Sequence, residues 1–119
     1  MMSCETDPVT GVVEITVDGA LTRADYDAVV AALDAAIATH GRLRVVEIIR
    51  AIGHVDSSVW WKDIQWAVAN FGKIGRCAVV TDYGWVGSIT RAVAAVMPSE
   101  IRVFPIAEGE AARAWVREA

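Results

Sequence analysis

The apolar positions of this chain alternate between two periods. From Val13 onward, Val12-Val13-Glu14-Ile15-Thr16-Val17 alternates apolar and polar after the turn-forming Asp7-Pro8-Val9-Thr10-Gly11, which predicts a strand. A short strand pairing with it is expected before the turn, within Met2–Thr6. Thr22-Arg23-Ala24-Asp25 has the spacing of a capping box. Beyond it Tyr26, Val29, Val30, Leu33 and Ile37 recur at helical spacing, and Gly41 is placed to end the helix. Val45-Val46-Glu47-Ile48-Ile49 reads as an interior strand and Ala51–Asp56 as a loop. A helix follows from about Ser57 to Phe71, then a strand at Cys77–Val80 and a loop at Asp82–Trp85. Ser88 is expected to cap a helix that ends before Pro98. Ile101-Arg102-Val103-Phe104 alternates as a strand near an edge does, and a last helix anchored by Trp115 starts near Glu108. Strands and helices in alternation predict right-handed crossovers. The expected fold is α/β, a four- or five-stranded mainly parallel sheet flanked by four helices, in one domain over residues 1–119.

Composition narrows the function. At 55% hydrophobic and 22% charged the chain is not disordered, and a net charge of −4 argues against nucleic-acid binding, which needs a basic face. No apolar run is long enough to span a bilayer, and no signal peptide is evident. Two cysteines, Cys4 and Cys77, fit a reducing compartment, so a cytoplasmic protein is expected. Ala and Val far outnumber Leu, which occurs only at Leu21, Leu33 and Leu43, whereas Trp occurs five times. Tryptophan suits places where one edge is dry and the other wet.

Ligands of open α/β sheets bind at the carboxyl ends of the strands. That edge is expected to carry Arg50, His54, Asp56 and Ser57 after one strand and Asp82, Tyr83 and Trp85 after the next. A serine triad from His54, Asp56 and Ser57 is disfavoured, since neighbours in sequence rarely reach that geometry and no G-x-S-x-G elbow is present. His40 and His54 form no metal-binding spacing, and neither standard nucleotide loop occurs, so neither metal nor cofactor is expected. Cys77 reads as a small buried hydrophobe, and Asp82 or His54 as a catalytic base has only its location in favour. On the helix after Ser57, Trp60, Trp61, Ile64, Val68 and Phe71 share one face, assigned to the core. Trp66 falls on the opposite face above Val59, so either the helix lies between two surfaces, with Trp66 packed under a neighbouring loop, or Trp66 is exposed as a surface for a partner, a second copy or a lipid interface.

Taken in order, several stretches resemble the SpoIIAA-like (STAS/SEC14-type) family. They are Asp18-Gly19-Ala20-Leu21-Thr22 with Asp25-Tyr26, Arg76 to Asp82 with Trp85, and Glu100 to Phe104 with Ala111-Ala112 and Trp115. The resemblance runs over about residues 10–118. It implies a small, mostly non-catalytic cytoplasmic domain whose relatives include anti-sigma factor antagonists, transporter STAS domains and SEC14-type lipid carriers. It further implies a small apolar or amphipathic ligand, gated by a mobile helix where Trp60, Trp61 and Trp66 lie, and contact with the inner membrane face. The expected ligand site comprises Arg50, His54, Ser57, Trp60, Trp61, Ile64, Tyr83 and Trp85, with Val59 and Trp66 as the membrane or partner surface and a homodimer as one use of it. Anti-sigma factor antagonists carry a D-S-S-G-L stretch whose first serine is phosphorylated. Asp56-Ser57-Ser58 matches its first three residues, so the resemblance makes Ser57 the phosphosite of an alternative, switch-type function, while Val59 and Trp60 depart from the pattern.

Overall fold

A computed structural model describes residues 1–118, apart from the side chains of Trp60 and Ile64. Five strands, β1 (Met2–Thr6), β2 (Val13–Leu21), β3 (Leu43–Val55), β4 (Ile74–Thr81) and β5 (Ile101–Phe104), form one sheet in chain order. β1 pairs antiparallel with β2 across the turn, and the other neighbours are parallel. Between them run α1 (Arg23–His40), α2 (Ser57–Ala69) and α3 (Gly84–Ala94), and α4 (Gly109–Arg117) closes the chain. Because the strands advance in one direction, right-handed crossovers put α1, α2 and α3 on a single face. On the other face, among the described residues, lie α4, returning after the last strand, and the turn at Ile106 before it.

The two faces have separate cores. Val13, Ile15, Val17, Val45, Ile49 and Val79 meet Val29, Leu33 and Ala36 of α1 and Val86 of α3. On the far side Val46, Ile48, Ala78 and Val80 meet Ala112 and Val116 of α4. Trp115 anchors α4 as expected, with the guanidinium of Arg76 4.8 Å from its ring and that of Arg102 5.3 Å away.

Local chemistry explains the helix ends. Thr22 Oγ1 accepts from Asp25 N while Asp25 reaches back to Thr22 N, completing the expected box, and Gly41 ends α1 at φ 74°. Two expectations are corrected. Ser88 is not a cap. α3 starts at Gly84, and the Ser88 hydroxyl donates to Gly84 O one turn back, satisfying itself inside the helix. Nor is Ala51–Asp56 a loop, since β3 runs on to Val55, pairing Ala51, Ile52 and Val55 with Asp18, Gly19 and Leu21. Gly53 permits this close pairing. A Cβ there would stand 2.9 Å from Ala20 N, too close for any side chain.

Candidate functional site

The site follows from one charged residue in β3. The register sets Glu47 between Ile15 of β2 and Val79 of β4, on the face covered by α1, α2 and α3. Strand alternation thus aims a carboxyl into an apolar layer. Above it α2 turns Val59, Asp63 and Trp66 inward, at spacings of four and three residues. Two chambers of about 200 Å³ each lie beneath α2, both bordered by Met2, Tyr26, Glu47 and Asp63. One extends between Val17, Val59 and α3, where Trp85, Val86 and Ile89 wall it; the other extends toward Leu33, Trp66 and Cys77. Apolar walls around a few polar groups are the usual make-up of a small-molecule site.

The polar waist has a defined electrostatic state. The Tyr26 hydroxyl donates to Asp63 Oδ1 at 3.1 Å. Burial and the neighbouring Asp63 charge push the Glu47 carboxyl up to about 7. Burial also raises Asp63, although much of that residue reaches solvent, and its hydrogen bond from Tyr26 opposes the rise. Burial and the carboxylate beside it hold the Tyr26 phenol well above its ordinary value. Cys77 in the inner chamber is pushed up to about 12 by burial and then by Glu47, so its thiol stays protonated and unreactive, as a buried hydrophobe would. Among the described residues no group of three His, Cys, Asp or Glu is arranged to hold a metal ion.

The face of α2 is the opposite of the expected one. Trp61 is 70% exposed and Val68 71%, with Phe71 also exposed, whereas Val59 is 6% exposed. Trp66 is half-buried against the core, its indole N–H donating to Asp34 Oδ1 at 2.8 Å. The polar members of the inner stripe are met by α1, Asp63 by Tyr26 and Trp66 by Asp34, so the more apolar face is left outside. Trp61 therefore lines neither chamber, and Val59 and Trp66 are not a surface pair. The expected roles of Trp60 and Ile64 fall on side chains outside the described residues.

Of the other expected ligand residues, Trp85 lines the outer chamber and stands 6.2 Å from the Tyr83 ring. Tyr83 packs against the core beside the chamber, its hydroxyl accepting from Ile52 N at 3.4 Å. Arg50 and His54 are exposed on β3, where its continuation carries them away from the chambers. Ser57 is exposed at the first position of α2, beside the Asp56 cap, whose carboxylate accepts from Ser58 N and Ser58 Oγ. Asp82 is a brace, its Oδ1 accepting from Ile106 N at 3.1 Å. The part of Glu47, Tyr26 and Asp63 in the site was missed in the sequence, which placed Tyr26 on the apolar face of α1 and Glu47 in an interior strand. The one visible signal was a lone carboxylate inside a β-branched strand.

Comparison with known proteins agrees with this architecture. A crystal structure of an uncharacterised protein of the DUF3478 family with a SpoIIAA-like fold, from Shewanella loihica PV-4, is similar at a TM-score of 0.74. The two are 19% identical, and the match covers 98% of this chain and 92% of that one. No curated protein matches the sequence. The model of the SpoIIAA-like family matches residues 12–117, nearly the whole of the chain. With the five-stranded sheet, its single antiparallel pair and the helices around it, the match shows that the chain belongs to the SpoIIAA-like family.

Proposed function

We propose that this STAS-type domain is a non-catalytic binding module that takes a small apolar or amphipathic molecule beneath α2. The observation that carries this is the pair of apolar chambers between α2 and the sheet, joined by a polar waist at Glu47, Asp63 and Tyr26. Among the described residues α2 is tied to α1 by two side-chain hydrogen bonds and makes few strand contacts, so it can lift without unpairing the sheet. Exposed Trp61 and Val68 on α2, Phe71 just beyond its end, and Trp85, Ile89 and Val93 on α3 support membrane-surface contact coupled to that opening. Among the described residues no helix is long and apolar enough to cross a membrane.

Two measurements test the site. Native mass spectrometry of gently extracted protein is expected to show a retained amphipathic molecule. A neutral apolar fluorophore, N-phenyl-1-naphthylamine, should bind the delipidated protein and lose at least tenfold in affinity in Val59→Trp, which fills the outer chamber. Trp61→Ala should bind as the unaltered protein does. An empty protein whose fluorophore titration ignores Val59→Trp would overturn the reading. If that protein were also dimeric, the exposed faces of α2 and α3 would be a subunit interface instead.

A second reading rests on Ser57, exposed at the first position of a 13-residue helix, where a phosphate would lie at the favourable end of the helix dipole. In that reading the chain is a phosphorylation-switched interaction regulator. Ser57→Asp should then differ from Ser57→Ala by more than tenfold in the capture of a binding partner. Equal behaviour of the two variants would remove this alternative.

A further inference from the structure

The chambers are apolar, yet their shared border carries two carboxyls and a phenol, and that border constrains what sort of molecule fits. Glu47 is held there by the sheet register, flanked by Ile15 and Val79, so it cannot swing to the surface without breaking strand pairing. Among the described residues its carboxyl has neither a hydrogen-bond partner nor an ion pair. Asp63 faces the same space from α2, and its Oδ1 already accepts from Tyr26. Among the described residues no lysine, arginine or histidine borders either chamber. Glu47 is only partly buried, so solvent in the cleft reaches its carboxyl, and a ligand that displaces that solvent must supply a donor in its place.

From this juxtaposition we infer that the molecule held beneath α2 is a cationic amphiphile, an apolar chain ending in a protonated amine that sits between Glu47 and Asp63. The inference rests on the binding reading above and specifies its ligand class. An ammonium offers three donors and no acceptor, which matches two carboxylates and a phenol oxygen. A carboxylate or phosphate head would meet like charge on every side with no cation in reach. A bare metal ion fits less well, since two carboxyls and a phenol fall short of the ligand number that hard cations demand. Entry of the ammonium draws Glu47 into its ionised form. The groups facing Glu47 from the surrounding elements are Asp63 on α2, Tyr26 on α1 and Cys77 on β4, and none of them opposes a cation.

A matched series separates this inference from the reading it rests on. Octylamine, octanol and octanoate share one chain and carry heads of charge +1, 0 and −1. Calorimetric titration of the delipidated protein near pH 7.5 should give octylamine at least tenfold tighter than octanoate. Glu47→Gln and Asp63→Asn should each reduce that preference severalfold while leaving octanol binding as it was. Octanol and octanoate bound as tightly as octylamine, all three weakened by Val59→Trp, would overturn the amine assignment and keep the cleft. No binding by any of the three would overturn both. A preference for octylamine unchanged in Glu47→Gln and Asp63→Asn would place the amine elsewhere on this acidic chain and also overturn the inference.

Discussion

Glu47→Gln is expected to stabilise the ligand-free protein by about 2 kcal/mol near pH 8.5 and to change it little near pH 4.5. Glu47 is the only charged residue of the Val45–Ile49 run, and its neighbours across the sheet are Ile15 and Val79. Burial raises its carboxyl from an ordinary 4.5 to about 7. The folded chain then holds a proton that the unfolded chain releases, so the stability this group contributes is complete below about pH 4.5 and lost as pH rises to about 7. Above that pH the loss is constant. Full linkage over such an interval would give about 3 kcal/mol, and the smaller figure allows for the solvent that reaches a partly buried residue. Glutamine keeps the shape and cannot ionise, so its stability should be flat across the same interval. Urea unfolding of both proteins at the two pH values measures the difference. A variant less stable than the parent at pH 8.5 would mean that Glu47 is satisfied inside the fold and is not a vacant ligand contact, and a gain as large at pH 4.5 would mean that the cost does not come from its ionisation.

This expected gain bears on function because it is a cost the native sequence carries. Core positions of a strand are ordinarily filled by residues such as the Val and Ile on either side. A carboxyl there is expected to destabilise the empty protein and to strengthen a complex that neutralises it, the usual relation between a binding site and fold stability. The same residue explains why the polar waist was hard to read from the chain. Sequence periodicity marked Val45–Ile49 as a strand correctly, but it could not say that α2 would stand off the sheet and leave Glu47 facing a cavity.

What was legible depended on local chemistry. The capping box at Thr22 and Asp25, the stop at Gly41, the alternation of β2 and the edge character of β5 are written within a few residues, and the structure follows them. What was illegible depended on partners far along the chain. Arg50-Ala51-Ile52-Gly53-His54-Val55 has no strand alternation, and its pairing is set by the backbone of Asp18 to Leu21. The facing of α2 is likewise decided by Tyr26 and Asp34, residues 37 and 32 positions away from the Asp63 and Trp66 they bind. Hydrophobic counting alone prefers the other face, because it charges Asp63 and Asn70 with a burial cost that their hydrogen bonds offset.

That facing yields the second large effect. Trp66→Ala is expected to cost about 2–4 kcal/mol, and Trp61→Ala less than about 0.5 kcal/mol. Trp66 fills the space between α2, the sheet and Leu33, and its removal would enlarge a chamber that already holds about 200 Å³. It would also leave Asp34 without the indole donor that pins α2 to α1. Trp66→Phe keeps most of the packing and loses only that bond, so it should cost about 1 kcal/mol, and Asp34→Ala should match it. Trp61, at 70% exposure, has little to lose on truncation. Chemical denaturation of the four variants ranks them directly. Should Trp61→Ala prove costlier than Trp66→Ala, α2 would be turned the other way, and the cleft assigned to Val59, Asp63 and Glu47 would have to be rebuilt around Trp61. With the expected ranking, the face proposed to meet a ligand and the face proposed to meet a membrane would be separate surfaces of one helix. Substitutions at Asp63 or Val59 should then alter binding, and those at Trp61 or Val68 should alter surface association, each leaving the other intact.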